Sequence, residues 1–328
     1  MISTLKKVLP PGVRRLIRKV ASSPPRSQME EFLRTGRRFR PRLSDFPPMV
    51  MVDTTTRCNL ACSHCPNSIL AEDTSWLGDM ETDLYRKIVD EIADEKPDTL
   101  LRPFDGGEPL MRRDLGELIG YAKVKGIRRV SINTNGLLMN QKRAEELIHA
   151  GLDDVEFSID GFSAETYERI RGSKHYDRLM GNIAEFLRLR SEHRPSLTVT
   201  VSFVSQPDNK HEEEMFTRHW SELVNRVDIR PLHEHGGLVS ITGKKAEFSG
   251  DRWPCPYLWD RIIVNHDGKV RFCEFDWRGD HALGDVRLQS LKEIWNSVDY
   301  RRLREQHIAG TFEHPYCQAC TDWPSVSW

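Results

Sequence analysis

The chain has 328 residues and a mass of 38.0 kDa, with 38% hydrophobic and 30% charged residues, a formal net charge of −1 and seven cysteines. That length buries a large core in one α/β domain with an appendage or in two domains. The lack of an apolar run of about 18 residues excludes a membrane-spanning helix, and near-zero charge excludes a nucleic-acid binder that works by overall basicity. The first twenty residues hold no signal-peptide pattern, being broken by Pro10-Pro11. A reducing, cytoplasmic setting is therefore expected, with thiols used for something other than disulfides.

Residues 1–47 read as a basic arm. The first forty-two carry twelve Lys and Arg against only Glu30 and Glu31, which suits a solvated cover over the domain or contact with an anionic surface. From Pro48 to about residue 236 strand and helix signals alternate. Strands are expected at about 48–54, 99–104, 128–133, 154–160, 197–204 and 226–231, and helices over Glu81–Asp94, Arg113–Lys125, Gln141–Ala150, Asp177–Ser191 and Lys210–Asn225. Six such repeats predict an α/β fold with a parallel sheet and outer helices, whose chemistry gathers at the C-terminal strand ends. After Gly236-Gly237 and Gly243-Lys244-Lys245 the rhythm breaks, and residues 237–328 read as a small second module. In it Arg261–Val264 and Lys269–Phe272 flank Asp267-Gly268 as a hairpin. A helix is expected from about Ser290 to His307, with Leu291, Ile294, Trp295 and Leu303 as its stripe.

Cys58, Cys62 and Cys65 form C-x3-C-x2-C in the loop leaving the first strand. Three thiolates in one short loop suit three corners of a cubane iron–sulfur cluster and leave the fourth iron open. By spacing alone, zinc with His64 as fourth ligand and inert buried thiols stay open as alternatives. At these residues the sequence resembles the radical S-adenosylmethionine (radical SAM) superfamily, with His64 in the ring-bearing position of its cysteine loop. The resemblance runs over about Met49 to Leu232, where further elements follow in order. Gly106-Gly107-Glu108-Pro109 resembles the family's GGE motif, which binds the methionyl amino group of SAM. Asn133, Asn135 and Ser158 are similar to positions that approach SAM, and Arg171 to an arginine that meets its carboxylate. Without the resemblance, the Gly-Gly pair reads as a tight turn and the Asn and Ser residues as caps. The resemblance implies a partial (β/α)6 radical SAM barrel, S-adenosyl-L-methionine bound to a [4Fe-4S] cluster, and an external one-electron donor such as flavodoxin or ferredoxin. The 5′-deoxyadenosyl radical so formed takes a hydrogen atom from an unactivated carbon.

The other cysteines, Cys255, Cys273, Cys317 and Cys320, read blind as a zinc site or an iron–sulfur cluster. The C-x12-G-x4-C hairpin, Leu283-Gly284-Asp285-Val286, Leu291–Asn296 and the final C-x2-C resemble the SPASM/twitch class of C-terminal module. Full SPASM modules carry seven cysteines; with four here, and the sequence ending eight residues after Cys320, the likeness is to the shorter twitch form with one auxiliary cluster. Two [4Fe-4S] clusters are thus implied, and the pattern is closest to the twitch-type aminocyclitol dehydrogenases of aminoglycoside biosynthesis.

Three and four ligands use all seven cysteines. Related radical epimerases return a hydrogen atom from a free thiol, so oxidation of a secondary alcohol of a sugar or aminocyclitol is favoured, with peptide modification and redox-neutral epimerisation or elimination as alternatives. Arg230, His233, Glu234 and His235 after the sixth strand are the candidates for handling the hydroxyl proton, although His-x-His also reads as plain loop polarity. Trp253, Trp259, Trp277 and Trp323 are expected to pack the module or shield its cluster.

Overall fold

In a computed structural model, residues 42–70, 72–239 and 252–323 are described. The basic arm up to residue 41 and the linker Gly243-Lys244-Lys245 lie outside them. Six parallel strands carry the frame: β1 (Met49–Val52), β2 (Leu100–Arg102), β3 (Arg129–Thr134), β4 (Asp154–Ser158), β5 (Thr198–Ser205) and β6 (Arg226–Pro231). They pair in sequence order. The apolar runs of β1, β4 and β5 are buried on both faces, β2 and β3 alternate buried with partly exposed positions, and β6 at the edge keeps no fully buried residue. The covering helices are α1 (Thr82–Glu95), α2 (Leu115–Val124), α3 (Gln141–Ala150), α4 (Ala164–Arg171), α5 (Tyr176–His193) and α6 (Glu213–Trp220). In α1 the apolar stripe Leu84, Tyr85, Ile88, Val89 and Ile92 faces the sheet, the spacing of one helix face.

The helix α4 was not anticipated from the sequence. Its start is set by Ser163, whose hydroxyl accepts from the Thr166 amide at 3.2 Å, and its end by Gly172 at φ 66°, a conformation glycine adopts without strain. Two of the six covering helices thus lie in the one crossover from β4 to β5. The expected last barrel helix, 210–225, is instead a 3-10 turn over Lys210–Glu212 followed by the shorter α6.

The hairpin of the second module is present as β7 (Arg261–Val264) and β8 (Lys269–Arg271), joined by the short β9 (Gly284–Asp285). It does not stand apart from the frame. β7 pairs with β1 in parallel, Met49 opposite Arg261 through Val52 opposite Val264, so one nine-stranded sheet runs β6-β5-β4-β3-β2-β1-β7-β8-β9. The expected helix over 290–307 divides into α7 (Leu291–Trp295) and α8 (Val298–Ala309). The reason is local. Ser297 turns extended and its hydroxyl accepts from the Tyr300 amide at 3.3 Å, starting a new helix. A third short helix, α9 (Pro315–Ala319), carries Cys317.

Contacts of the module with the barrel and with the segment that leads into β1 are polar as well as apolar. The Glu91 carboxylate on α1 accepts from the amides of Leu291 and Lys292 at 2.8 and 2.9 Å, placing negative charge at the amino end of α7. Trp295 is fully buried and its indole N–H donates to the Ser44 carbonyl at 2.8 Å. Among the described residues no helix is long and apolar enough to cross a membrane.

Candidate functional site

The loops beyond the C-terminal strand ends enclose a cavity of about 510 Å3. Cys58, Cys62 and Cys65 line one wall, with His64 beside them. Their loop is held at several points. The Ser63 amide donates to the Ile170 carbonyl at 3.0 Å, and Asn67 Nδ2 donates to the carbonyls of Thr56 and Gly106 at 3.0 and 3.1 Å. Gly107 lies against the same loop so closely that a Cβ there would sit 2.2 Å from the Thr55 carbonyl oxygen and 2.8 Å from that of Arg57. Both obstacles are backbone, so only glycine fits.

Burial pushes the Cys58 thiol up to about 11 and the Cys65 thiol up to about 12. Left alone they are neutral, and a bound cation would be needed to draw out their thiolates. Arg171 Nη1 points at Cys62 Sγ, 3.5 Å away, while Nη2 pairs with Asp160 at 2.8 Å. Asp160 is fully buried at φ 62°, and His64 Nε2 lies 3.4 Å from the same carboxylate. Burial lowers the His64 pKa, keeping its ring neutral. Arg171 Nε and His64 Nδ1 are buried without a hydrogen-bond partner. Three sulfurs lining one cavity beside a guanidinium and an imidazole, each with one buried nitrogen unpartnered, fit an iron–sulfur centre with a polar zwitterionic ligand.

The opposite side of the loop is tied by Glu108. Its carboxylate accepts from the Leu110 amide (3.0 Å), the Thr134 hydroxyl (2.6 Å) and the Asn135 amide (2.7 Å), and burial raises its pKa. Asn135 Nδ2 donates to Asn59 Oδ1 at 2.8 Å, linking the end of β3 to the cysteine loop. Asn133 and Ser158 also line the cavity. Asn133 Nδ2 donates to Glu156 at 3.0 Å and its Oδ1 accepts from Arg102 at 3.1 Å, whereas the Ser158 hydroxyl meets Ser202 at 3.4 Å. Every residue expected at the cofactor, His64, Gly106, Gly107, Glu108, Asn133, Asn135, Ser158 and Arg171, is therefore brought to one cavity.

Arg230, already a candidate from the sequence, and the unflagged Arg102, Asp105, Arg261 and Glu274 bring charge to the wall, with further ionisable groups packed behind it. Arg230 is half-buried, and against the partial loss of solvent Glu156 and Asp228, each 2.7 Å from its Nη2, raise its pKa. Arg261 pairs with Asp260 at 2.7 Å and with Glu274. Arg271, fully buried, lies 3.4 Å from Asp53 and also pairs with Asp105, while Asp53 accepts from the Gly106 amide at 2.6 Å. Burial pushes Asp105 up to about 7 against the pull of Arg271, with Asp53 adding to the rise. Arg102 has no carboxylate within ion-pair distance among the described residues; its guanidinium lies 4.5 Å from the Phe104 ring, and its Nε is unpartnered. A charge within an otherwise apolar strand, as in Leu100-Leu101-Arg102 and Val155-Glu156-Phe157, was the available signal.

Of the four proton-handling candidates, Arg230, His233 and His235 line the cavity. Glu234 does not. Its carboxylate accepts from the Thr321 hydroxyl and its amide donates to Asp322 Oδ1 at 2.7 Å, turning it to the C-terminal segment. His235 Nδ1 accepts from the Trp277 indole N–H at 3.3 Å, and burial lowers its pKa to about 4. His233 Nδ1 stands 3.7 Å from Asp322 Oδ1. Trp277 itself lines the cavity and covers Gly106, at 3.0 Å from a Cβ built there. Trp253 and Trp259 are buried, and Trp253 meets Trp323 edge to face at 4.9 Å.

In the module, Cys255 and Cys273 pack against Tyr257 and Phe275, and Cys317 is buried. Burial raises the pKa of all four module thiols, Cys317 to about 12. His307 lies between two of them: Nδ1 accepts from the Cys255 amide at 3.0 Å and Nε2 is 3.3 Å from Cys317 Sγ. All seven cysteines are free of disulfides. Among the described residues, no three His, Cys, Asp or Glu side chains close up on a single-ion site.

Two family profiles match the chain, the radical SAM superfamily over residues 52–218 and an iron–sulfur cluster-binding SPASM domain over 255–321. The Fe-coproporphyrin III synthase of Methanosarcina barkeri (strain Fusaro / DSM 804) is 40% identical over 317 residues, covering 77% of this chain and 75% of that protein. Among solved structures, BtrN in complex with AdoMet and 2-DOIA aligns with a TM-score of 0.60 at 19% identity, over 86% of this chain and 95% of that one. SuiB of Streptococcus suis bound to precursor peptide SuiA gives 0.66 at 14%, over 85% and 70%. At these identities the two structures establish likeness of fold.

Proposed function

This chain belongs to the radical SAM superfamily and carries a SPASM-type iron–sulfur module, and on that premise we propose that it oxidises a secondary alcohol of a sugar or aminocyclitol to a ketone. The observation that carries the substrate class is the cavity: about 510 Å3, walled by ionised groups, and shared by cofactor and substrate. What remains beside SAM suits a small polyhydroxylated or aminated ring better than a macrocycle or a peptide.

Cys58, Cys62 and Cys65 hold the first cluster in this reading, and Cys255, Cys273, Cys317 and Cys320 the second. With SAM bound, the first centre supplies a 5′-deoxyadenosyl radical. Glu108, Asn133, Asn135, Ser158 and Arg171 orient the cofactor, and Gly107 lets the cysteine loop and the β2 loop meet. Arg102, with no carboxylate within ion-pair distance among the described residues, and Asn133 and Arg230, which Glu156 ties together from behind, present polar groups to the substrate hydroxyls or amines. His235 is a donor here. Its Nδ1 is taken by the Trp277 N–H, so the neutral ring carries hydrogen on Nε2. His233, on the same wall and beside Asp322, is the group placed to accept the hydroxyl proton. The chain works in the cytoplasm on a small molecule, and an external carrier supplies the priming electron.

A second reading follows from the 40% identity to Fe-coproporphyrin III synthase: a tetrapyrrole substrate. The test is anaerobic reconstitution, iron and sulfide analysis, and incubation with SAM, reductant and a panel of deuterated sugars, aminocyclitols, iron coproporphyrin and peptides. Deuterium in 5′-deoxyadenosine together with a ketone two hydrogens lighter than its sugar or aminocyclitol supports the proposal. A product of unchanged mass, or turnover confined to the tetrapyrrole or the peptides, overturns it.

A further inference from the structure

We propose that His307 raises the reduction potential of the module's iron–sulfur cluster through a hydrogen bond from its Nε2 to the sulfur of Cys317. This rests on the reading that Cys255, Cys273, Cys317 and Cys320 hold a cluster. The ring sits on the last turn of α8, almost fully buried, and its two nitrogens meet two different cysteines. One is the backbone amide of Cys255, 3.0 Å from Nδ1. An amide N–H only donates, so Nδ1 is unprotonated, and the neutral imidazole carries its hydrogen on Nε2. That hydrogen is directed at Cys317 Sγ, 3.3 Å away. The Phe312 ring stands edge to face on the imidazole at 4.8 Å, which opposes a ring flip. The tautomer thus follows from geometry.

A ligand sulfur that accepts an N–H sheds negative charge toward the donor, so an added electron on the cluster is stabilised and the potential rises. The proposed oxidation needs such an acceptor. Removing a hydrogen atom from the carbinol carbon and a proton from its hydroxyl leaves one electron to be passed on as the C=O bond forms. Held by Cys255, Cys273, Cys317 and Cys320, a cluster would supply the one-electron acceptor for this step, and an external one-electron carrier would remove the electron.

The test uses the full chain with Cys58, Cys62 and Cys65 replaced by alanine, so that only the module cluster contributes. Potentiometric titration is followed by EPR in this background and in its His307→Leu and His307→Gln derivatives. His307→Leu is expected to shift the midpoint to lower potential, and His307→Gln, whose amide still offers an N–H, to recover part of the shift. About four irons per chain with an unmoved midpoint in His307→Leu overturns the hydrogen bond. A background protein that takes up no iron overturns the second cluster itself, and the proposal with it. Should His307→Leu lose its cluster, pulsed EPR decides on the background protein labelled with 15N-histidine. A histidine nitrogen coupling that disappears in His307→Gln supports the bond, and no coupling overturns it.

Discussion

Trp277 offers a single N–H and no acceptor, and that one fact separates His235 from His233. With its Nδ1 engaged, His235 has only a donor left to offer the cavity, whereas His233 Nδ1 is without a hydrogen-bond partner among the described residues; in the proposed oxidation this makes His233 the proton acceptor. We expect His233→Gln to lower ketone formation by about 10²–10⁴-fold while 5′-deoxyadenosine still forms, seen as uncoupled cofactor cleavage by chromatography. His235→Gln is expected to weaken substrate saturation more than turnover. Residue types made all four proton-handling candidates visible in the sequence; their orientation was not, because Glu234 faces Thr321 and Asp322, some 90 positions on. Asp105 gives a pH signature. Its carboxyl moves from 3.8 when unfolded to about 7 when folded, so the native state binds the proton more tightly. The stability this contributes is present below about pH 4 and is lost as pH rises through 7. The urea midpoint is therefore expected to fall from pH 5 to pH 8, with Asp105→Asn showing a smaller fall.

Elements were legible where one pattern sufficed. Apolar runs bounded by polar turns located β1 to β5, the alternation of Val227 and Ile229 with charged residues located β6, and period 3.6 located α1, α2, α3 and α5. The pattern misled where it continued across a break: Leu291, Ile294, Trp295 and Leu303 keep one helical stripe, yet Asn296-Ser297 closes α7 and opens α8. Propensity does not stop such a helix, but a side-chain cap does. Ser297→Ala is expected to cost about 0.5–2 kcal/mol, measured by urea unfolding with iron content held constant. The short α4 escaped for the opposite reason. Eight residues carry too little periodicity to stand out from a loop, and only Ser163 and Gly172 marked its ends.

At the scale of the molecule, the module completes the barrel's own sheet and supplies the charge at its centre. Arg271 and Asp53 are 218 positions apart in sequence and meet beneath the Gly106 loop. No local signal states such a pairing: the apolar run Ile262-Ile263-Val264 announces burial but not that β1 is its neighbour. Removing the guanidinium leaves Asp53 and Asp105 buried without a cation, so Arg271→Met is expected to cost about 3–5 kcal/mol. Calorimetric titration with SAM should also show weakened binding, because Asp53 fixes the Gly106 amide. The β1–β7 pairing has a consequence during synthesis. Roughly 200 residues separate Val52 from Arg261, and at about 5–20 residues per second one edge of β1 waits roughly 10–40 s with its amides and carbonyls open. During translation, the segment Met49–Val52 is a site for a chaperone to occupy or for a neighbouring nascent chain to capture.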